Sequence, residues 1–356
     1  MVSSRIPVTV LAATGTVGQR FVQLLDGHPW FEVAALTGSE RTAGKPYGQA
    51  CHWLLGSAMP EWARGLPVLP PDAAVDTPLA FSALPADAAI EIESALAKQG
   101  MWVCSNASAF RSAPDVPLIL PEVNPDHLAL LEIQQDQRGW RGGIITNPNC
   151  ASTGMTIVLK ALGDAFGLRR VFVVTLQSIS GAGYPGVASL DIVDNVIPYI
   201  GGEEDKLESE PKKMLGVLED GQIRPSDVHL SAQVNRVGTS EGHMACLSVE
   251  LALKAGADDA LQVLRRFCLP AASAGLPSSP QPPILVRDEP DRPQPRLDRS
   301  TGNGMTTVVG RVRPDPLLHL KMVVLSHNTI RGAAGASIYN AELLARSGRL
   351  GWQPAA

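Results

Sequence analysis

The sequence has few cysteines, and they show no recognisable spacing. The five cysteines form no CxxC pair and no other metal-ligand pattern. An odd, unpatterned set predicts reduced thiols in a cytoplasmic protein rather than a disulfide framework. No metal site is expected from it.

Excess charge and long apolar runs are also missing. The formal net charge is -5 and no basic block stands out, which argues against nucleic-acid binding. No apolar stretch is long enough to span a bilayer, and the segment after Met1 lacks a secretory-signal pattern. We therefore expect a cytoplasmic protein with no nucleic-acid or membrane partner, although small anionic substrates remain compatible with this composition.

The chain does contain enough apolar material for two hydrophobic cores. Hydrophobic residues make up 45% and charged residues 18% of the sequence, as is typical of globular proteins. A length of 356 residues exceeds one ordinary core, so two domains are predicted. Strands alternate with helices in the first half, which favours an α/β domain with a doubly wound parallel sheet.

A candidate dinucleotide-binding turn lies near the N-terminus. The stretch PVTVLAATGTVGQRFVQLL predicts a buried strand, a turn of small residues and a helix. Gly15 and Gly18 stand where backbone must approach closely, and the helix N-terminus beyond them can hold a pyrophosphate. Ala12 occupies the first position of the glycine fingerprint, so an ordinary strand–helix turn remains the alternative.

The next strand, FEVAALT, indicates which dinucleotide is bound. It ends near Thr37, where an NAD enzyme usually places an acid for the ribose hydroxyls. Four groups able to meet a 2′-phosphate follow instead: Ser39, Arg41, Thr42 and Lys45. The pattern favours NADP over NAD. A solvated loop, or Glu40 turned towards the ribose, is the alternative.

A second strand–helix–strand unit follows in LAFSALPADAAIEIESALAKQGMWVC. Pro85 precedes the predicted helix, Gly100 ends it, and MWVC returns to the sheet. Ligands gather at the carboxyl ends of parallel strands. We therefore expect cofactor contacts near Ser82 and Asn106.

The stretch NPNCASTGMTIVLKAL places one cysteine at the start of a predicted helix. The apolar face of that helix comprises Met155, Val158, Leu159, Leu162 and Phe166. A helix N-terminus lowers the pKa of a thiol by favouring the thiolate, and its N–H groups can hold an oxyanion. Cys150 is therefore a candidate nucleophile, with simple burial as a small core residue as the alternative.

A candidate base and a candidate anion clamp lie in NRVGTSEGHMACLSVELAL. His243 opens a predicted strand with alternating apolar residues, so it is either an acid/base group or a core histidine bonded to a carbonyl. Arg236 lies upstream, and a turn over residues 238–242 would let both side chains reach one cavity. The arginine either clamps a carboxylate bidentately or belongs to a structural ion pair.

Two further segments contain candidate binding residues. TLQSISGAGYPGV is a glycine-rich loop after a strand and suits the close approach of a ligand. IGGEEDKLESEPKKMLG predicts a helix whose first turn holds Glu203, Glu204 and Lys206. These charges either form a solvated helix face or take part in binding.

Nine motifs in chain order together resemble one enzyme family. They are ATGTVGQRF, SERTAGK, SNASAFR, NPNCASTG, QSISGAGYPGV, GGEEDK, NRVGTSEGH, RPQPRLDR and HNTIRGAAGASIYNAELL. Over nearly its whole length the sequence resembles the archaeal and fungal branch of the aspartate-semialdehyde dehydrogenases. The resemblance implies a Rossmann-like doubly wound parallel sheet plus an α+β catalytic and dimerisation domain with a mixed sheet.

The resemblance also implies domain limits and an assembly. Residues 1–149 would form the NADP-binding domain, completed by the C-terminal helix 331–356. Residues 150–330 would form the catalytic and dimerisation domain, and a homodimer or homotetramer is expected. The proline-rich segment 276–299 is interpreted as an extended surface loop with a short strand over residues 284–286.

The catalytic roles implied by the resemblance fall on five residues. Cys150 would be the acyl-thioester nucleophile and His243 the acid/base. Arg236 would hold the α-carboxylate of the substrate. Glu203 would lie near the substrate amino group, and Gln177 would orient the reacting group.

Phosphate and cofactor contacts are implied in the same way. Arg111 and Lys206 would bind phosphate, with Asn124 as a looser neighbour. The implied NADP(H) contacts are Thr14, Gly15, Thr16, Val17, Ser39, Arg41, Thr42, Ser82, Asn106, Ser180, Gly181, Gly183 and Asn328. Asn328 would bind the nicotinamide amide.

The implied reaction is the NADPH-dependent reductive dephosphorylation of L-aspartyl 4-phosphate to L-aspartate 4-semialdehyde, on the route to lysine, threonine and methionine. Malonyl-CoA reductase, which resembles this branch closely, and the more distant N-acetyl-glutamyl-phosphate reductase are the enzyme alternatives. A non-catalytic NADP-binding protein would bind cofactor without turnover. Phosphate dependence separates aspartyl-phosphate chemistry from an acyl-CoA reductase, which releases CoA.

Overall fold

The first of two large sheets is entirely parallel. A computed structural model describes residues 5–352. Its first sheet contains β1 (Ile6–Leu11), β2 (Phe31–Thr37), β3 (Val68–Leu69), β4 (Leu79–Ser82), β5 (Trp102–Ser105) and β6 (Gly143–Thr146). The strand order is β3-β2-β1-β4-β5-β6, and every pairing is parallel. This is the doubly wound, dinucleotide-binding order that the alternation of strands and helices predicts.

Helices connect these strands, and their ends follow the predicted signals. They are α1 (Thr16–Leu24), α2 (Tyr47–Ala50), α3 (Glu61–Arg64), α4 (Ala86–Gln99) and α5 (Leu130–Arg138), with a 3-10 turn at Pro125–Ala129 before the last. Pro85 caps the start of α4, and Gly100 ends it in the left-handed conformation with φ +110°. A residue without a Cβ adopts that conformation at no steric cost, which explains the glycine.

The second large sheet is mixed. Its half of the chain contains β7 (Leu168–Gln177), β8 (Val217–Glu219), β9 (Gln222–Arg224), β10 (His229–Arg236), β11 (His243–Leu251), β12 (Ile284–Arg287), β13 (Thr307–Pro314) and β14 (Leu320–Ser326). The sheet order is β10-β7-β11-β14-β13-β12, while β8 and β9 form a separate hairpin. The β10–β7 and β12–β13 pairs are parallel and the other pairs of this sheet antiparallel, so the predicted fold class is confirmed.

The remaining helices include one long helix at the centre of the molecule. They are α6 (Cys150–Phe166), α7 (Ser189–Ile192), α8 (Glu203–Met214), α9 (Ala257–Arg266), α10 (Pro295–Asp298) and α11 (Gly335–Arg346). The prediction of one apolar face on α6 is too narrow, because the helix is buried on nearly every side from Ala151 to Leu162. It packs against β11, β14, α8 and α9 and against a π-helical turn at Ile330–Ala334, so its first residue lies where several elements meet.

Helix α11 packs against the parallel sheet. Ile338, Tyr339 and Leu344 of α11 belong to the same apolar cluster as the strands of the first sheet. Glu342, fully buried, pairs with His28 at 2.9 Å. Residues of α11 therefore share the core of the first sheet; the observed helix, Gly335–Arg346, is shorter than the implied segment 331–356, of which positions 353–356 lie outside the described residues.

The proline-rich segment contains the predicted short strand. β12 runs parallel to β13 and forms one edge of the mixed sheet. Downstream, the buried carboxylate of Asp298 pairs with Arg287 and Arg292 and accepts the Gln294 backbone N–H at 2.7 Å. These contacts hold the segment as ordered structure at the surface.

Candidate active site

The candidate dinucleotide turn has the predicted strand–turn–helix form. Gly15 is the N-cap of α1, and the helix begins at Thr16. A Cβ placed on Gly18 would lie only 2.3 Å from the Ala12 carbonyl oxygen, so the helix approaches the turn as closely as glycine allows. Ala12 takes the left-handed conformation with φ +55°, which is the backbone geometry for which the fingerprint normally uses glycine.

A cleft beside this turn suits a dinucleotide. Its volume is about 370 Å³, and it lies between the start of α1 and the glycine-rich loop after β7. Thr16 lines one side, and Ser180 and Gly183 line the other. The Thr16 hydroxyl is buried with no hydrogen-bond partner among residues 5–352, which leaves a polar group ready for a ligand.

The predicted ribose-side residues form a tight turn after β2. Ser39, Glu40 and Arg41 are exposed, whereas Thr42 is buried. The Thr42 hydroxyl donates to the Ser39 carbonyl at 2.9 Å, so it shapes the turn. The Ser39 hydroxyl lies 3.3 Å from the Thr42 hydroxyl, so the exposed charges at this position are those of Glu40, Arg41 and Lys45.

Ser82 and Asn106 lie at the predicted sheet edge, but their polar atoms contact protein. Ser82 is fully buried at the end of β4. The Asn106 amide donates to the Ser82 carbonyl at 3.1 Å and to the Ser337 hydroxyl at 3.0 Å, and its oxygen accepts from Asn147. These contacts tie the edge of the parallel sheet to α11.

Asn149 caps the N-terminus of α6, where Cys150 is the first helical residue. Its side-chain oxygen accepts the backbone N–H of Ala151 at 2.8 Å and that of Ser152 at 3.4 Å, so α6 begins at Cys150 as predicted. Its side-chain nitrogen donates to both carboxylate oxygens of Glu203 at 2.9 Å. One amide thus links the nucleophile's helix to the first turn of α8.

The expected low pKa of the Cys150 thiol is wrong for this structure. The pKa is raised to about 12, chiefly by burial, then by the nearby Glu203 carboxylate and to a smaller extent by Glu210. Arg111 and Arg236 act in the opposite direction. Because removal of water outweighs the two guanidinium groups, the thiol is protonated at neutral pH.

The effect of Glu203 on the pKa of the Cys150 thiol can be measured on the enzyme without substrate. Glu203→Gln removes the carboxylate that raises the Cys150 pKa most, so the pKa should fall and the thiolate fraction at pH 8 should rise. We expect alkylation by iodoacetamide, read by mass spectrometry, to become about three- to tenfold faster, since one pKa unit is a tenfold change in thiolate.

The matched control for this substitution is the neighbouring carboxylate. Glu204 is exposed, and its Oε1 accepts the Val234 backbone N–H at 3.1 Å instead of facing the thiol. Glu204→Gln should leave the alkylation rate of Cys150 within twofold of wild type. Equal rates for wild type and Glu203→Gln would show that this carboxylate does not act on the thiol.

Arg236 and His243 meet at the glycine-rich loop. A Cβ on Gly181 would lie 2.7 Å from Arg236 Nη1 and 3.0 Å from His243 Nε2, so both side chains cover this glycine. Arg236 ends β10 and His243 begins β11, and both strands flank β7, whose end leads into the loop. The strand order β10-β7-β11 therefore explains why the side chains of Arg236 and His243 approach each other, as predicted.

His243 is neutral in this arrangement and offers one ring N–H as a hydrogen-bond donor. Its Nδ1 accepts the backbone N–H of Ser178 at 3.1 Å, which assigns the ring proton to Nε2. Nε2 is buried and has no hydrogen-bond partner within residues 5–352. Burial lowers the pKa of the ring to about 3, with further lowering by Arg236 and His327. The free Nε2–H can donate to an oxygen atom brought beside Gly181.

The predicted substrate residues Gln177, Glu203 and Lys206 form one polar group. The Gln177 amide lies 3.3 Å from Glu203 Oε2, and Lys206 Nζ lies 2.9 Å from Glu203 Oε1. Arg236 donates to the Ser178 carbonyl at 2.8 Å. A carboxylate, two cations and an amide thus surround the approach to Cys150.

Arg111 is held by a carboxylate that the sequence did not reveal. Its Nη1 lies 3.1 Å from Glu210 Oε1, and Glu210 Oε2 accepts the backbone N–H of Asn149 at 2.6 Å. A cleft of about 800 Å³, lined by Arg111, Lys206 and Lys213, opens beside this pair. Glu210 lies on α8, and no local pattern marks it, because its partners are remote in sequence.

Asn124 does not join this group. Its oxygen accepts the Leu120 backbone N–H at 2.9 Å, and its nitrogen contacts the Leu118 carbonyl and His127 Nδ1. These contacts shape the loop before α5. The structure therefore gives Asn124 a structural position instead of one beside the phosphate residues.

Asn328 connects two loops at the cofactor cleft. Its side-chain oxygen accepts the Gly242 backbone N–H at 2.8 Å, and its nitrogen donates to the Ser180 hydroxyl at 2.8 Å. The residue therefore holds the loop before His243 against the glycine-rich loop. This position is compatible with the predicted contact to a nicotinamide amide.

Two structural features are absent from the described part of the chain. No helix within residues 5–352 is long and apolar enough to cross a membrane. In the same range, no group of three or more His, Cys, Asp or Glu side chains is arranged to hold a metal ion.

Comparisons with known proteins agree with the fold. Residues 7–131 match a family model described as the NAD binding domain of semialdehyde dehydrogenase. Residues 159–331 match the dimerisation domain of semialdehyde dehydrogenase. The class of protein is therefore a two-domain, nucleotide-binding semialdehyde dehydrogenase, which is an oxidoreductase.

Relatives identify the branch of that class. The chain is 50% identical to an aspartate-semialdehyde dehydrogenase from Archaeoglobus fulgidus over 96% of its length and 98% of the relative. It is 45% identical to the one from Schizosaccharomyces pombe, with the same two coverages. A crystal structure of the Candida albicans aspartate-semialdehyde dehydrogenase with NADP superposes with a TM-score of 0.89 at 43% identity, covering 97% of this chain and all of that one. The chain belongs to the aspartate-semialdehyde dehydrogenase family, as the motifs predicted.

Proposed function

We propose that this enzyme catalyses the NADPH-dependent reductive dephosphorylation of L-aspartyl 4-phosphate to L-aspartate 4-semialdehyde, on the route from aspartate to lysine, threonine and methionine. One observation carries the proposal. The Cys150 thiol stands at the start of α6 within the influence of two guanidinium groups, Arg111 and Arg236. Arg236 also meets His243 at Gly181. A nucleophile, an acid and two anion-binding groups therefore surround one small space.

Substrate orientation follows from the charges in that space. Arg236 would bind the α-carboxylate with its planar fork, and Glu203 would pair with the α-amino group. Gln177, which contacts Glu203, would orient the reacting acyl group. Arg111 and Lys206 would bind phosphate, since each is a cation whose present partner is a carboxylate that an anionic substrate can replace.

The covalent steps use Cys150 and His243. In the biosynthetic direction, the Cys150 sulfur would attack the acyl carbon and displace inorganic phosphate to give a thioester, with the thiol proton passing to the departing phosphate. Reduction of the thioester carbonyl by one hydride gives a tetrahedral oxyanion, to which the Nε2–H of His243 would donate a hydrogen bond. Collapse of that oxyanion would break the C–S bond and release the aldehyde and the Cys150 thiolate, which would take up a proton from water.

The residues at the nucleotide turn fit NADP. When bound, the cofactor supplies the hydride. Thr14 to Val17 would hold its pyrophosphate at the start of α1, and the unpaired Thr16 hydroxyl supports that assignment. Ser39, Arg41 and Thr42 would meet the 2′-phosphate. The remaining contacts would come from residues around the cleft or at its sheet edge: Ser82, Asn106, Ser180, Gly181, Gly183 and Asn328.

Domain limits and assembly form the last part of the proposal. Residues 1–149 with 331–356 would form the NADP-binding domain, and residues 150–330 the catalytic and dimerisation domain. The match to a dimerisation domain supports a homo-oligomer, proposed here as a homodimer or homotetramer. Analytical ultracentrifugation would determine which of the two exists.

The deciding experiment follows NADP reduction in the reverse direction. We expect the enzyme with L-aspartate 4-semialdehyde and NADP to produce NADPH only when inorganic phosphate is added. Turnover without phosphate would contradict an acyl-phosphate product. No turnover with this aldehyde, together with CoA release from malonyl-CoA and NADPH, would assign the site to malonyl-CoA reduction.

A further inference from the structure

Glu241 lies at the centre of an ionic network that joins distant segments. Its Oε1 accepts from Arg20 Nη2 at 2.6 Å and from the Thr329 hydroxyl at 3.0 Å. Its Oε2 lies 3.5 Å from His327 Nε2, and its backbone carbonyl accepts from Arg299 at 3.1 Å. Three other parts of the chain therefore contact Glu241: α1 and the segment 327–329 through its carboxylate, and Arg299 through its backbone carbonyl.

Arg20 connects that carboxylate to the nucleotide turn. It lies on α1 one turn after Thr16, and its side chain is nearly buried. Arg20, Glu241, Thr16 and Ser180 all line the same cleft of about 370 Å³. The Arg20–Glu241 ion pair thus crosses from the nucleotide-binding helix to the catalytic half of the molecule at the cofactor cleft.

Glu241 lies in the segment that leads into His243. Its predecessor Ser240 accepts the Ser180 backbone N–H at 3.2 Å. Its successor Gly242 donates to Asn328 Oδ1 at 2.8 Å. A shift of Glu241 would therefore move the glycine-rich loop, Asn328 and His243 together.

We propose that Glu241 and Arg20 are positioning residues that hold His243 and Asn328 in register with the nucleotide turn at the start of α1. The inference rests on the proposed function, because it concerns where hydride donor and acceptor meet. Neither side chain needs to touch the reacting atoms. A largely desolvated pair suits this role, because removing one partner leaves the other charge in poor solvation and displaces the segment that carries it.

Glu241→Gln and Arg20→Gln test the proposal by separating kcat from KM. We expect either substitution to lower kcat about tenfold, because a misaligned donor and acceptor slow hydride transfer. KM for L-aspartate 4-semialdehyde and for phosphate should stay within twofold. The deuterium isotope effect with substrate labelled at the aldehyde carbon should increase, because hydride transfer becomes more limiting.

Three further variants make the test specific. Because the two residues act as one unit, the double variant should lose no more kcat than the worse single variant, within twofold. Glu241→Asp keeps the charge and should give a kcat between those of wild type and Glu241→Gln. Arg138→Gln, which breaks the remote Arg138–Asp115 pair, should lower the melting temperature but leave kcat within twofold.

Several results would overturn the proposal: an unchanged kcat, an effect confined to KM, multiplicative losses in the double variant, or equal kcat for Glu241→Asp and Glu241→Gln.

Failure of the proposed function is distinguishable, because wild type would then not turn over the aldehyde. In that case hydrogen–deuterium exchange of the backbone amides, measured with NADP bound, would test the positioning role of Glu241. Residues 239–243 should exchange faster in Glu241→Asp than in wild type, while residues 14–18 stay protected; equal exchange would reject the role.

Discussion

Replacing Cys150 with alanine is expected to lower kcat for phosphate-dependent NADP reduction by at least about 10⁴-fold, because loss of a covalent nucleophile leaves only binding and orientation. The thiol is the group on which both covalent steps of the proposed mechanism occur. The helix cap made by Asn149 does not depend on the thiol, so the fold should survive the substitution. Steady-state kinetics with a fluorescence titration of NADPH would measure the loss of turnover and the retained binding.

A second buried cysteine serves as the control. Cys104 lies in β5 of the parallel sheet, and burial raises its pKa strongly. Cys104→Ala removes a thiol that is more deeply buried than Cys150 and lies away from the candidate site, so it should cost stability and leave kcat within about twofold. Residual turnover above about 1% in Cys150→Ala would contradict a thioester on this residue.

Replacing Gly332 with alanine is expected to lower kcat about 10²-fold without direct contact to substrate. A Cβ on Gly332 would lie 2.7 Å from the Cys150 Cβ and 2.9 Å from its Cα, closer than such atoms can approach. The π-helical turn cannot retreat easily, because the adjacent Arg331 is fully buried in a pair with Glu122. Cys150 must therefore move, and a displacement of about 1 Å at a reacting group can cost about 10²-fold in rate.

Steady-state kinetics would measure the loss of kcat in Gly332→Ala, and a fluorescence titration would measure its affinity for NADPH. The Kd for NADPH should stay close to that of wild type, because the substitution acts on α6 and not on the turn before α1. Gly65→Ala is the matched control, since a Cβ there has no atom within 4 Å and the backbone φ is -88°. Wild-type kcat in Gly332→Ala would mean that the nucleophile tolerates displacement.

Much of the architecture could be predicted from local sequence. The turn before α1, the ends of α4 at Pro85 and Gly100, and the start of α6 at Cys150 all follow from residues adjacent in the chain. Glycine, proline and capping asparagine act through their own backbone geometry and nearest neighbours. Such helix and turn ends can be predicted from the sequence because they depend on interactions between residues that are adjacent in the chain.

The chemistry of individual groups depended on contacts between remote residues. The sequence placed Cys150 at a helix N-terminus, and that position alone predicted a low pKa. Glu203 lies near the same thiol, and burial dominates, so the pKa rises to about 12. Glu210 and Ser178 were missed for the same reason, since each contacts the site only after α8 and β7 have packed.

The sequence by itself determined the strand–helix alternation and the turn before α1, and it predicted Cys150, His243 and Arg236 as nucleophile, acid/base and anion clamp. Only the tertiary structure decided that Arg236 and His243 meet at Gly181, because their strands are separated by β7 in the sheet. It also decided that Glu241 joins α1 to the segment before His243. Dihedral preferences and periodicity are properties of neighbouring residues, whereas desolvation and ion pairing depend on which distant groups the packed core brings together.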